Sequence, residues 1–92
     1  MLARKQAGVS QKALGVAVGI DEFSASSRMN HYEQGLHAPN YELIQRIASH
    51  LKLPTSYFYT DDDGIAELVV KYFRLKKGQR KELMKYLEGL AS

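Results

Sequence analysis

The sequence of 92 residues lacks cysteine and tryptophan, has only two prolines, and contains no long apolar run. Without cysteine there are no disulfides and no cysteine-ligated metal sites. The apolar stretches fall far short of the ~18 residues that a membrane span requires. The opening stretch MLARKQAGVS has no apolar core of the kind that signal peptides carry. We therefore expect a soluble cytoplasmic protein with no membrane partner.

A strong charge of one sign is missing as well. Lys and Arg number 13 and Asp and Glu number 10, which gives a net charge of +3 spread along the whole chain. This balance permits a polyanionic partner but does not require one. A chain of this length forms a single domain, or one domain with an appendage, and its core is small enough that oligomerisation would add to its stability.

Strand-like alternation of useful length is also absent, and the pattern that remains is helical. Ser10 and Asn40 are good N-caps, each followed by a stretch with apolar residues at three- and four-residue spacing. The acidic run DDDG favours another helix start before an apolar helix over 65–75, and QRKELMKYLEGL forms a last helix. The prediction is an all-α protein with five short helices in residues 1–60 and two further helices in residues 61–92.

The third of these helices, within the stretch GIDEFSASSRMNHYEQG, has an unusual polar face. At about 100° per residue, Ala25, Met29 and Tyr32 fall on one side of the helix. The opposite side and its flanks carry mostly small hydrogen-bonding groups: Ser26, Ser27, Arg28, Asn30, His31 and Gln34. From the wheel alone, a surface that another molecule approaches closely and a merely solvated polar face are equally good interpretations.

Three ordered motifs surround or end this helix: GVSQKALGVAVGI, RMNHYEQG and APNYELIQRIASHLKLPTSYF. Together they resemble the Cro and phage-repressor type of helix-turn-helix domain, also called the xenobiotic-response-element type, from about Ala3 to Tyr59. The resemblance implies a DNA-binding domain over residues 1–60, whose third helix enters the major groove of double-stranded DNA as the recognition helix. There Asn and Gln would pair with adenine, Ser would donate or accept, and His or Arg would reach guanine.

The resemblance also implies contacts outside the recognition helix. Gln11 opens the first motif helix, where relatives use a glutamine and the helix N-terminus to hold a phosphate, although a generic first-turn residue is also possible. Lys12 is a candidate phosphate partner, or only an exposed lysine. His37 and Asn40 lie in the loop that often contacts the DNA backbone, although Asn40 also suits a simple cap.

The first helix departs from the family pattern. Relatives begin this helix several residues earlier and with an apolar anchor, which is missing here, so either the natural chain starts earlier or the helix is short. Arg4 and Glu33 match positions that form a salt bridge between the first and third helices in many relatives. The resemblance therefore implies that Arg4 and Glu33 are a structural pair and not DNA contacts.

A second departure is an insertion, because a few more residues than in relatives separate Gly19 from Met29. One interpretation is an extra helical turn capped by Asp21, which moves the recognition helix ~5 Å towards the DNA. That turn would place Phe23 on the polar side, within reach of a thymine methyl. The other is a longer loop, with Ser24 as the N-cap and Phe23 tucked inward. We favour the loop, because an exposed Phe needs a reason.

The two C-terminal helices lie outside the resemblance and carry broad apolar stripes. A stripe of this width indicates burial against more than one neighbour. It could enlarge the core of the monomer, or it could form a dimer interface. We favour the dimer, because this motif usually recognises half-sites through two copies related by two-fold symmetry. The residues expected in the interface are Ile65, Leu68, Val69, Tyr72, Phe73, Leu83, Leu87 and Leu90.

Catalysis has little support in the sequence. The three histidines show neither metal-ligand nor triad spacing, the run DDDG lacks the spacing of an EF-hand, and no phosphate-binding loop occurs. We therefore expect no enzyme activity, no metal site and no cofactor. The prediction is a sequence-specific transcriptional regulator, a repressor that binds a palindromic operator as a homodimer. The alternative is a protein-binding module, similar to an antitoxin or an anti-repressor, that binds a protein partner through its C-terminal helices.

Overall fold

The computed structural model describes residues 2–91, and all regular structure in that range is helical. In chain order the elements are α1 (Leu2–Gln6), α2 (Gln11–Ala17), α3 (Ala25–Glu33), α4 (Tyr41–Leu51), a 3-10 helix (Thr55–Tyr59), α5 (Asp63–Arg74) and α6 (Lys77–Ala91). The predicted all-α class, with five short helices followed by two more, is confirmed. The fifth of the short helices is a 3-10 helix.

Side-chain caps mark where α2 and α5 begin. The Ser10 hydroxyl accepts a hydrogen bond from the Ala13 N–H at 3.0 Å, as predicted for the start of α2. The Asp62 carboxylate accepts one from the Ile65 N–H at 2.9 Å. Because Asp62 is the cap, α5 begins ahead of Ile65, where the apolar pattern placed its start. Each such cap contributes about 1 kcal/mol by satisfying a backbone donor.

The core lies where α2, α3 and α4 meet. Its largest fully buried side chains are Leu14 of α2, Met29 of α3 and Ile47 of α4. The cluster is completed by Val18, Ile20, Ala25 and Leu43, with Val9, Tyr32, Leu51 and Phe58 packed against it. The burial of Ala25 and Met29 confirms the inner face predicted from the helix wheel. One apolar stripe therefore holds α3 and leaves its other side towards solvent.

Gly15 allows α2 and α3 to approach closely. A Cβ atom at this position would lie 2.9 Å from the Ala25 Cβ and 3.1 Å from both the Ala25 carbonyl oxygen and the Met29 Cγ. Atoms this close would have to move apart, so a larger residue pushes α3 away from α2. No role was predicted for this glycine, although a glycine inside a short helical stretch is a signal of close packing.

The segment between α2 and α3 is a loop that ends in a turn, and the favoured loop interpretation is confirmed. The Asp21 carboxylate accepts the Phe23 N–H at 3.0 Å, and the Asp21 carbonyl accepts the Ser24 N–H at 3.1 Å. Ser24 takes the N-cap position, but its side chain does not cap the helix. The predicted inward position of Phe23 is wrong, because this residue is 95% exposed. Ile20 and Ala25 already fill the core on either side of the turn.

The described chain is elongated, at 53 × 23 × 22 Å, and α5 packs against the 3-10 helix. Arg80 of α6 donates to the carbonyl oxygens of Tyr72 and Phe73, at 3.1 and 2.9 Å, and thereby fixes the joint between α5 and α6. No residue of α5 or α6 is fully buried, although Val69, Val70 and Tyr72 of α5 are half-buried. Within residues 2–91, no helix has the length and apolar character needed to cross a membrane.

Candidate nucleic-acid interface

The outer side of α3 carries polar side chains over a rigid support. Ala25 and Met29 are fully buried beneath it. The α3 polar face, as we name this surface, consists of the exposed Ser26, Ser27, Arg28 and Gln34 and the half-buried Asn30 and His31. Since serine side chains are short, they leave the helix backbone open to close approach. The six side chains that the sequence placed on this face and its flanks all lie outside the core, and their contact with another molecule stays a prediction.

Asn30 stands at the centre of a hydrogen-bonded amide network. Its Oδ1 atom accepts from the Nε2 of Gln11 at 3.2 Å and from the Nε2 of Gln34 at 3.3 Å. A carbonyl oxygen has two acceptor sites, and both are used here. The NH2 group of Asn30 is therefore the part of the side chain that can donate to another molecule. Gln11 also ties the start of α2 to the middle of α3.

Arg28 lies along the helix next to Tyr32. Its Nη2 atom donates to the Tyr32 hydroxyl at 2.9 Å, and its Cζ atom lies 5.9 Å from the centre of the Tyr32 ring. Tyr32 itself packs against the core. This contact restrains one edge of an otherwise exposed guanidinium, whose remaining N–H groups can donate to an acceptor in a groove.

Lys12 pairs with Glu22 of the loop before α3, with 3.7 Å between the Lys12 Nζ and the Glu22 Oε1. The two side chains are 59% and 68% exposed, so the pair contributes little to stability. Lys12 can therefore exchange this partner for a phosphate at little cost. Its position in the first turn of α2, beside Gln11, agrees with the predicted phosphate contact, which stays a prediction.

The loop after α3 folds back towards the recognition helix. The rings of His31 and His37 lie 5.6 Å apart between centroids and are tilted by 58°. Asn40 is the N-cap of α4, where its Oδ1 accepts the Leu43 N–H at 2.8 Å. The capping role that the sequence allowed for Asn40 is thus present, whereas the predicted backbone contacts of His37 and Asn40 stay predictions.

Arg4 and Glu33 form the salt bridge expected between α1 and α3. The Arg4 Nε lies 3.1 Å from the Glu33 Oε2, its Nη2 donates to the Glu33 Oε1 at 3.1 Å, and the side chains are only 10% and 7% exposed. The Nη1 of Arg4 also donates to the Val9 carbonyl at 2.8 Å. Burial raises the pKa of Glu33, but hydrogen bonds to its carboxylate, that from Arg4 foremost, outweigh burial and hold that pKa below its ordinary value.

The helix α3 is buried along one side, polar along the other and tied to the helix before it. This arrangement fits the second helix of a helix-turn-helix domain. The helix-turn-helix family model matches residues 1–58. The chain therefore belongs to the helix-turn-helix family, of the xenobiotic-response-element type.

A solved structure resembles nearly the whole chain. The crystal structure of the transcriptional regulator BswR is 45% identical in sequence, with a TM-score of 0.90, and the match covers 96% of this chain and 87% of that one. No curated protein matches. The likeness to BswR extends beyond the residues of the family model and therefore includes α5 and α6.

Proposed function

We propose that this protein is a sequence-specific DNA-binding regulator that represses transcription as a homodimer on a palindromic operator. Its family and its likeness to a transcriptional regulator support the regulatory role. The observation that carries the proposal is the α3 polar face, a set of hydrogen-bonding side chains held from behind by the buried Ala25 and Met29. Such a face fits the major groove of a duplex.

In this proposal the α3 polar face meets the edges of base pairs. Because Gln11 and Gln34 occupy the Oδ1 of Asn30, its NH2 group donates to acceptors such as the O6 and N7 of guanine or the N7 of adenine. His31 and Arg28 supply further donors for guanine. Ser26 and Ser27 let the helix sink far enough for these contacts to form.

Other side chains hold the DNA backbone and set the orientation of α3. Gln11 and Lys12, in the first turn of α2, bind one phosphate region, and His37 and Asn40 bind another from the loop after α3. Contacts of this kind position a protein on DNA but carry little sequence information. They also make binding fall steeply as the salt concentration rises, because bound counterions are released.

The dimer is built through α5 and α6. Four of the predicted interface residues, Ile65, Leu68, Phe73 and Leu90, are 50%, 47%, 42% and 66% exposed. Leu87 is exposed as well, and Val69, Tyr72 and Leu83 are half-buried. A second copy would cover these apolar side chains and place two recognition helices about 34 Å apart, one turn of DNA. This exposure supports the homodimer.

One experiment tests sequence recognition by α3 and the dimer together. Duplexes bound by the full chain are selected from a random pool, while the mass of the protein in solution is measured by light scattering. The proposal predicts an enriched palindromic sequence and a mass twice the 10.4 kDa of one chain. No enriched sequence, or a monomer that binds single half-sites, contradicts it.

The same exposed helices support a second candidate, a protein-binding module that holds a different protein partner. This candidate predicts a stoichiometric complex with that partner after purification, and weak retention on DNA with no preferred sequence. The mass and the selected pool therefore separate the two functions.

A further inference from the structure

Phe23 is the most exposed large apolar residue of the described chain, at 95%. An aromatic ring left in water loses the free energy that its burial would contribute, so such exposure needs a reason. No role in the core accounts for it, because Ile20 and Ala25 take the buried places on either side of the turn. The ring lies two positions before α3, at the end of the recognition helix whose residues contact base edges in this class of domain.

We propose that Phe23 determines specificity by placing its ring against the C5-methyl group of a thymine in the operator half-site. This inference rests on the DNA-binding function proposed above. In the major groove the thymine methyl is the only apolar group that a base pair presents. An aromatic ring at the groove-facing end of α3 therefore has one matching partner there.

The turn presents Phe23 in a defined position. The Asp21 carboxylate holds the Phe23 N–H at 3.0 Å, and the Ile20 N–H bonds to the Gly15 carbonyl at 2.9 Å. The loop is thus attached to α2 on one side and runs into the buried Ala25 on the other. A fixed backbone limits the conformational freedom lost on contact with a base to that of the ring's own side-chain torsions, which favours a specific contact.

Both acids next to Phe23 have a partner within the protein. Asp21 is engaged with the backbone of the turn, and Glu22 pairs with Lys12 at 3.7 Å. The side chain of Glu22 is 68% exposed, so it can turn into solvent when Lys12 takes a phosphate, as proposed above. A protein partner fits less well, because protein interfaces need a packed apolar patch, and a ring that is 95% exposed is packed against nothing in the described chain.

Phe23 and Asn30 are expected to read different base pairs. Ala25 and Asn30 are separated by about 7.5 Å along the helix axis, roughly two base-pair steps of 3.4 Å. Phe23 lies beyond Ala25, so its thymine should flank the base pairs that the α3 polar face contacts. Loss of the ring should then change one position of the selected sequence and leave the others.

The test compares wild type with Phe23→Ala on the full chain. Each protein selects duplexes from a random pool, and each is then measured on the selected duplex with the relevant thymine replaced by deoxyuridine, which removes only the methyl group. We expect wild type to lose roughly fourfold in affinity with deoxyuridine, the ratio that corresponds to one methyl-sized group. Phe23→Ala should show no difference between the two duplexes and no thymine preference at that position.

The control is Leu36→Ala, an exposed apolar residue of the loop after α3, which should keep the wild-type response to the missing methyl. If wild type and Phe23→Ala enrich the same sequence with the same thymine preference, the inference is wrong while the proposed function stands. If wild type enriches no sequence, both are wrong. If Phe23→Ala keeps DNA binding but loses a co-purifying protein, the ring contacts that protein instead.

Discussion

At the scale of single residues, the recognition surface depends on side chains that hold one another. Gln11 and Gln34 orient Asn30, and the Tyr32 hydroxyl accepts from Arg28. Side chains ordered before binding lose less conformational entropy when they meet a base. The helix wheel predicted which residues share the α3 polar face, because the composition of a helix face follows from the angle per residue. The bonds between α2 and α3 could not be predicted in this way, since they depend on the distance between two helices.

Gln11→Ala should therefore affect more than a phosphate. Its position in the family predicts equal weakening on all sequences, but its bond to Asn30 adds a sequence-dependent loss. In a double-mutant cycle on the selected duplex, Gln11→Ala and Asn30→Ala should be coupled by about 0.5–3 kcal/mol. Lys12→Ala, which removes a neighbouring side chain with no bond to Asn30 among those found, should be additive with Asn30→Ala. Additivity of both pairs would argue against the amide network.

The Arg4–Glu33 pair makes stability depend on pH in one direction. The pKa of Glu33 is lower in the folded state than its ordinary value of 4.5, because hydrogen bonds to its carboxylate, that from Arg4 foremost, outweigh the effect of burial. The stabilisation is then complete above pH 4.5 and is lost as the pH falls from there through the folded-state pKa. Urea unfolding should show that Glu33→Gln flattens this acid decline and lowers stability at pH 7. An unchanged acid decline would contradict the assignment.

At the scale of elements, the loop before α3 shows what a sequence pattern can and cannot predict. Asp21 suited both a helix cap and a loop, and the choice of a loop came from expecting Phe23 to be buried. The loop is present, yet Phe23 points to solvent, because Ile20 and Ala25 occupy the space beside the turn. Occupancy of a core is a tertiary property, and a hydrophobic residue in a short loop carries no periodic signal for it.

Gly15→Ala should destabilise the domain, because its Cβ would lie 2.9 Å from the Ala25 Cβ. We expect a loss of about 1–3 kcal/mol in the free energy of unfolding from overpacking. The matched control is Gly78→Ala in α6, where a Cβ would meet nothing within 4 Å. That change should leave stability unchanged or raise it by up to about 1 kcal/mol through helix propensity. Thermal unfolding of both variants measures the difference. Equal stability of Gly15→Ala and Gly78→Ala would show that α2 and α3 can move apart freely.

At the scale of the whole molecule, the helix-turn-helix domain and the two C-terminal helices, α5 and α6, differ in how they are stabilised. The helix-turn-helix family, whose model matches residues 1–58, could be predicted because its motifs are ordered along the chain. The apolar stripes of α5 and α6 predicted burial, yet no residue of either helix is more than half-buried in the described chain. A homodimer that covers them stays a proposal, because sequence patterns within one chain carry little information about a second molecule.

A charge on this exposed surface should dissociate the proposed dimer. Leu68→Glu and Leu90→Glu place a carboxylate where an apolar contact is expected, and burial of an unpaired charge is costly. Light scattering should show each variant moving towards the mass of one chain, with weaker binding to the full palindrome. Leu36→Glu is a matched control, since Leu36 is 63% exposed against 66% for Leu90 but lies outside α5 and α6. It should keep the wild-type mass; monomeric wild type would rule out the dimer.

The most direct test of sequence recognition by α3 measures the dissociation constants for random and selected duplexes at one fixed salt concentration. The quantity of interest is the ratio of the two constants. For wild type, binding to the selected duplex should be at least about 10³-fold tighter. His31→Ala and Asn30→Ala should each weaken binding to the selected duplex by about 1–3 kcal/mol, with little change on random DNA. Each variant should therefore lower this ratio. Equal losses on both duplexes, with the ratio intact, would contradict base recognition by this helix.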